Sequence, residues 1–336
     1  MRRFSIILCA VCCLLASCKN SGGKLMPSIS GKAGEVLVVI ENADWNAELG
    51  EEVRSVLEDE YPYLPLIEPL YSLIHVSHGG FVEMFQVHRN IIFFDINPQV
   101  QKTGLTLVRD KWSAPQTIIN IAAYTAEDAK AIFEENKDLI IRTLEQAERD
   151  RVVRNTYLYE NRDIHSQVSE VFGGSIHAPS GYQLRKLSRN FAWIEYDTRN
   201  YTQGIFIYSY PVEGNDLQCE NIIRKRDQIL KANVPGPDEG TYMQTAAFWK
   251  PTTEYIKYRG REFAQTHGQW EVDKAFMGGP FVSHSFYSRD GQDIIVVEAF
   301  VYAPRYDKRQ YLRQVESILY SWEWAEDEES AENEKK

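Results

Sequence analysis

Between Ala126 and Phe172 the chain has neither glycine nor proline, and a run that long without a breaker commits the middle of the protein to helix. Thr125, with Asp128 three residues on, is close to a capping box and opens it. Ala129, Ile132, Phe133, Ile140, Leu144 and Ala147 recur at helical spacing. A second stripe, Tyr157, Leu158, Ile164, Val168, Val171 and Phe172, ends at Gly173-Gly174, a C-cap signal. The polar gap 148–155 between the stripes predicts two helices, or one bent helix, bridging two halves.

On both sides the period falls to that of strands. Before the helical block, Glu35–Glu41, Leu70–Val76, Asn90–Ile96, Leu105–Arg109 and Thr117–Ala123 read as strands. Between the first two, Asp44 is expected to cap a helix carrying Trp45, Leu49, Val53, Val56 and Leu57. So few crossovers favour a mixed or antiparallel sheet over a doubly wound one. After the block, alternating stretches at 182–187, 192–196, 204–210, 254–258, 262–266, 270–272, 281–287 and 293–301 read as an antiparallel meander. Arg259-Gly260 and Arg289-Asp290-Gly291 are among its turns. Asp216 is expected to cap a helix to about Lys231, and Asp307 with Gln310 a final helix bearing Tyr311, Leu312, Val315, Ile318, Leu319 and Trp322. The expectation is an α+β protein with two mixed or antiparallel sheet domains and packed helices. Residues 35–150 form the first domain, 151–174 a helical connector, 175–324 the second domain, and 325–336 a disordered acidic tail.

Met1-Arg2-Arg3 is basic, and Ser5–Ala16 is an uncharged apolar run. A spanning helix needs about 20 residues, so residues 1–17 read as a signal peptide. Leu15-Ala16-Ser17-Cys18 resembles the lipobox of bacterial lipoproteins. That resemblance implies that Cys18 becomes the acylated first residue of the mature chain, tied to a membrane by lipid. Residues 18–34, rich in Ser, Gly and Lys, read as a flexible tether. Lys19-Asn20-Ser21 lacks the acids that follow the cysteine in surface-displayed Bacteroidetes-type lipoproteins, which favours the periplasmic side. Only Cys219 then remains in the body. It shares a face with Ile222, Ile223, Arg226 and Leu230 and reads as core.

The formal net charge of −11 sets a nucleic-acid partner aside. No nucleophile elbow, phosphate loop, His-Glu-x-x-His or dinucleotide fingerprint occurs, and nothing calls for a cofactor. The best metal-ligand pattern is His75, His78 and His88, but odd spacing on a strand sends neighbouring rings to opposite faces, so no metal site is expected. The aromatic load is more informative. Trp193, Tyr208, Tyr210, Tyr258, Arg261 and Tyr287 are candidates to line a groove for a glycan or a peptide, beside the simpler reading of these rings as core.

Four stretches, GKAGEVLVV at 31–39, HRNII at 88–92, SGY at 180–182 and NFAWI at 190–194, together with the lipobox, give the chain its resemblance to an uncharacterised Bacteroidetes lipoprotein family built on a domain of unknown function. The resemblance implies an envelope location and brings no catalytic residues. The Pro-Ser-Gly-Tyr turn at 179–182, feeding antiparallel strands, resembles the α/β/α sandwich of the photosystem accessory protein PsbP and its relatives. The favoured reading is a non-catalytic lipoprotein that binds a periplasmic protein or glycan. The alternative is an envelope hydrolase with an unrecognised carboxylate or histidine site.

Overall fold

The computed structural model describes residues 26–327, so the expected signal peptide (1–17), Cys18 and residues 328–336 of the expected tail lie outside the described residues. The first half runs β1 (Glu35–Val39), α1 (Glu48–Leu57), β2 (Ser72–Val76), β3 (Asn90–Ile96), β4 (Gly104–Arg109) and β5 (Thr117–Ala123). Its sheet has the order β2-β1-β3-β5-β4, parallel except for β4 against β5. This is the mixed sheet expected. One face buries Val36, Val38, Ile92, Phe94, Ile119 and Ile121 under the helices, and the other buries Leu37, Val39, Ile91 and Ile118. Burial on both faces explains why these strands are apolar without alternation.

The first helix departs from expectation. Asp44 makes no cap; Asn42–Trp45 is a separate single turn, and α1 begins three residues later. Gly50 makes the junction possible, because a Cβ there would lie 1.9 Å from the carbonyl oxygen of Trp45. The tether is shorter than expected too. Ser30 donates to Val87 O at 2.8 Å and accepts from Arg89 N at 3.1 Å, while Ala114 N reaches Pro27 O at 3.1 Å. Residues 27–34 are thus docked on the first sheet.

The glycine-free block forms three helices: α2 (Ala126–Glu135), α3 (Lys137–Leu158) and α4 (Arg162–Phe172). Thr125 caps α2 through Asp128 N at 3.1 Å, and Gly173 ends α4 in the left-handed region at φ 71°. Asparagine supplies the breaks that glycine and proline do not. Asn136 separates α2 from α3 with φ −111° and ψ 9°, and the Asn161 side chain accepts from Ile164 N. The polar gap lies inside α3 and does not end a helix. Glu148 and Arg151 are buried there and bind each other at 3.0 Å, Arg89 at 2.7 Å and Asn90 at 2.7 and 2.9 Å.

Then follow β6 (Gly174–Ser175), β7 (Gln183–Ser188), β8 (Phe191–Asp197), β9 (Thr202–Pro211), α5 (Cys219–Asn233), β10 (Met243–Thr245), β11 (Thr252–Tyr258), β12 (Arg261–Val272), β13 (Gly278–Tyr287), β14 (Asp293–Tyr302), α6 (Arg309–Leu319) and β15 (Glu323–Trp324). An antiparallel sheet runs β10-β12-β13-β14-β9-β8-β7, with β11 beside β12. Strand alternation divides its two faces. Ile194, Ile205, Ile207, Val282 and Val297 meet Val168 of α4 and Leu312, Val315 and Ile318 of α6, whereas Phe206, Tyr208, Phe281 and Val296 meet Leu230 of α5. The chain is α+β, and its second half is an α/β/α sandwich.

Two expected caps act elsewhere. Asp216 accepts the backbone N–H groups of Glu213 and Gly214, and α5 starts at Cys219 without a side-chain cap. Cys219 is only half-buried, its thiol 3.6 Å from Pro251 O. Neither Asp307 nor Gln310 caps α6; Glu68 of the first half does, as described below. The halves are joined further by Arg313, which holds Glu145 at 2.7 and 3.1 Å, and by Tyr63 stacked on His267 at 4.3 Å.

Candidate functional site

Tyr258 and Arg261 are paired across a two-residue hairpin in which Arg259 and Gly260 both have positive φ, 47° and 83°. That is the geometry that matches strand twist, and glycine at its second position removes the steric cost. The hairpin brings the side chains of Tyr258, Arg259 and Arg261 to the end of α6 and to β15. A cavity of about 530 Å³ opens there, walled also by Arg289, Trp322 and Trp324, with Tyr157, Glu323 and Asp327 at its margin.

Aromatic rings fix the guanidinium groups. Arg259 lies 5.3 Å from the centre of the Tyr258 ring, Arg289 5.5 Å from Trp324, and Arg261 5.0 Å from Phe286 and 5.3 Å from Phe263. Arg261 also donates at 3.3 Å to the carbonyls of Leu319 and Trp322, satisfying the end of α6. Burial lowers its pKa to about 10, with the surrounding tyrosines opposing. Arg289 pairs with Asp327 and Glu326, and Arg259 meets Asp150 only at 3.8 Å. Trp322 Nε1, Tyr258 OH and Arg261 Nε are buried and find no hydrogen-bond partner among the described residues. Such groups are costly unless something binds them.

A histidine–carboxylate cluster backs one wall. His177 Nδ1 lies 2.5 Å from Glu160 and its Nε2 3.4 Å from Glu323, which in turn accepts from Tyr157 OH at 2.5 Å. His165 stacks on His177 with ring centres 4.5 Å apart. Burial opposes charge on His177, but hydrogen bonds to Glu323 and Glu160 outweigh it and raise its pKa. Behind the cavity, Gln265 links Tyr320 OH at 2.9 Å, Glu316 at 3.2 Å and His284 at 3.1 Å. Burial raises Glu316 to about 7.

Of the six groove candidates, only Tyr258 and Arg261 meet here. Tyr208 and Tyr210 point to the opposite, α5 face of the sheet and are buried, Tyr208 beside Glu298 at 3.4 Å. Trp193 lines a separate cleft of about 370 Å³ with Pro235, Pro237 and Trp270. Tyr287 is exposed at the end of β13 and does not line the cavity. The single groove expected from sequence is therefore not formed, because strand parity divides its residues between faces. The histidines likewise have separate duties. His75 meets Ile40 O at 2.9 Å and stacks on Trp45; His78 meets Glu41 at 2.9 Å and Phe94 O at 2.8 Å; His88 meets Asn90 O at 3.0 Å. Among the described residues no three His, Cys, Asp or Glu side chains are grouped to hold a metal ion. Sequence reasoning missed Tyr157, Glu323 and Arg289 as site residues, which reach the cavity from three elements remote in the chain, and it expected Trp322 only in the packed stripe of the final helix.

Residues 29–157 match the family model of a domain of unknown function (DUF8532), and residues 161–321 match another domain of unknown function (DUF4837). The matches meet at the break between α3 and α4, and together they support an uncharacterised family. No curated protein sequence matches the chain. Among solved structures, the chain is similar to the Ran-binding protein Mog1p of Saccharomyces cerevisiae at TM-score 0.29 and 6% identity, over 44% of this chain and 87% of that one. It is also similar to LpqN of Mycobacterium tuberculosis, described as involved in cell envelope biogenesis, at TM-score 0.26 and 13% identity, over 43% and 78%. A Bacteroides thetaiotaomicron protein gives TM-score 0.25 and 13% identity, over 45% and 44%.

Proposed function

We propose that the protein is a lipid-anchored accessory protein of the bacterial cell envelope, of the Bacteroidetes lipoprotein type, that faces the periplasm and binds a protein or glycan there without catalysis. The anchor rests on the motif ending in Cys18; among the described residues no helix is long and apolar enough to cross a membrane. The observation that carries the binding role is the cavity at the Arg259–Gly260 hairpin, where aromatic side chains and three guanidinium groups converge. Affinity capture from detergent-solubilised envelopes, using the full chain as bait, tests the role. A specific protein or glycan, lost when Tyr258 and Arg259 are both replaced by alanine, is the expected result. Recovery of neither would overturn the reading.

One arrangement favours a second reading, that of an envelope hydrolase. Glu323 stands at the cavity margin while bound to His177, which Glu160 holds from its other nitrogen. Turnover of peptidoglycan or an oligosaccharide, abolished by Glu323→Gln, would promote it.

A further inference from the structure

We infer that the cavity at the Arg259–Gly260 hairpin is selective for an acidic sugar, a hexuronic-acid-type pyranose whose carboxylate meets Arg259; this rests on the reading that the cavity is a ligand site. The first argument is charge. Three arginines face two carboxylates in the lining, within a chain whose net charge is −11. Both carboxylates are engaged: Glu323 by Tyr157 and His177, and Asp327 by Arg289. Arg259 is the least engaged of the arginines, with a side chain 59% exposed and Asp150 at 3.8 Å as its ion-pair partner. A guanidinium lying against a tyrosine ring keeps its N–H edge available, the fork that suits a carboxylate.

The second argument is the hydrogen-bond inventory. Arg259 and Arg289 bring partly exposed guanidinium groups to the lining, with side chains 59% and 43% exposed. Guanidinium nitrogens are donors only, so the complement is a ligand rich in acceptor oxygens. An acidic sugar carries a carboxylate, a ring oxygen and several hydroxyls around a body whose faces are C–H, and those faces suit walls made of Tyr258, Trp322 and Trp324. A simple carboxylate such as glutarate brings few oxygens and no body to lie against the aromatic walls. The volume, about 530 Å³, lies within the range of roughly 300–1,000 Å³ typical of small-ligand sites.

Calorimetric titration of the full chain in detergent tests this with four probes: digalacturonate, the neutral disaccharide cellobiose, glutarate and inorganic phosphate. Digalacturonate is expected to bind at least tenfold more tightly than each of the others. Arg259→Ala should weaken it about tenfold, with thermal unfolding unchanged, since Arg259 lies on an exposed turn. Equal binding of cellobiose, or insensitivity to Arg259→Ala, would overturn the acidic-sugar inference while leaving the cavity as a binding site. Equal binding of glutarate or phosphate would mark a simple anion site and also overturn it. Absence of binding by every probe, while envelope capture still succeeds, would reject the ligand class alone; failure of both would remove the underlying reading as well.

Discussion

Glu68 accepts the backbone N–H of Arg309 at 2.8 Å, and with its other oxygen that of Lys308 at 2.7 Å. A loop of the first half therefore supplies the cap that α6 lacks in its own flanking sequence. The carboxylate is buried and sits where the helix presents unpaired N–H groups, so each bond is charge-assisted. Arg309 returns the contact by donating to Pro69 O and to Ser72 Oγ. Because α6 also packs on the second sheet, the cap couples the stability of the two halves. Glu68→Ala should destabilise the protein by about 1–2 kcal/mol, the upper range for a lost cap. Glu68→Gln should recover part of it. Urea unfolding followed by fluorescence checks this, and an unchanged midpoint for Glu68→Ala would remove the coupling.

Arg226 and Glu298 form the most deeply buried ion pair described, with neither side chain exposed. The pair is bidentate at 2.8 and 2.9 Å, and the guanidinium lies 3.8 Å from the centre of the Phe281 ring. Burial pushes the Glu298 carboxyl up, with Arg226 pulling against it. Removing one partner strands the other charge without water, so Glu298→Gln and Arg226→Met should each cost about 3–5 kcal/mol. The double variant Arg226→Met/Glu298→Gln should cost less than the two separate losses combined, as a double-mutant cycle in thermal unfolding would show. Strict additivity would mean that the pair is not energetically coupled.

The local features were legible in the sequence. β3 and β5 begin and end where their apolar runs do, Thr125 caps α2, and Gly173 closes α4. These signals depend on neighbours a few residues apart. What the sequence did not disclose depends on distance. Glu148 and Arg151 look solvent-facing within their own helix, and only the approach of Arg89 and Asn90 turns them into an interior network. The α6 cap comes from Glu68, far from the Asp307 that local grammar nominates. The cavity suffers most from this. Its walls come from α3, the β11–β12 hairpin, the β13–β14 turn and the end of α6, and a strand tyrosine such as Tyr208 joins the core or the site according to parity that composition does not reveal.

His284 makes stability depend on pH. It is fully buried between Phe263 at 4.1 Å and Tyr320 at 4.6 Å, with Gln265 at 3.1 Å as its polar neighbour. Burial, with Arg261 and Arg149 nearby, holds its pKa well below the ordinary value of 6.5. The unfolded chain then binds a proton below about pH 6.5 that the folded chain refuses, so the contribution of His284 is complete above that pH and is lost as pH falls. The slope attributable to this one site is about 1.4 kcal/mol per pH unit. Urea midpoints for the native protein and for His284→Gln, compared between pH 7 and pH 5, should show a shallower acid loss in the variant. Parallel curves would mean that the ring is protonated in the folded state.

The anchor is the last consequence to test. Each methylene of an acyl chain buried in a bilayer contributes about 0.8 kcal/mol, so on the proposed reading the two or three acyl chains carried by Cys18 would suffice to hold a body that has no spanning helix among its described residues. Residues 27–34 are already committed to the first sheet, where Ser30 bridges Val87 and Arg89. On the proposed anchor, the docking of residues 27–34 should keep the first half close to the membrane surface. Cys18→Ser should shift the protein from the membrane fraction to the soluble fraction without changing its unfolding midpoint, because the packing described for the body is made by residues 27 onward. Mass spectrometry of the mature amino terminus should find acyl chains on Cys18 in the native protein and none in the variant. A variant that still sediments with membranes would require another attachment, and the exposed Leu66 and Ile67 of the loop before β2 would be the first residues to replace.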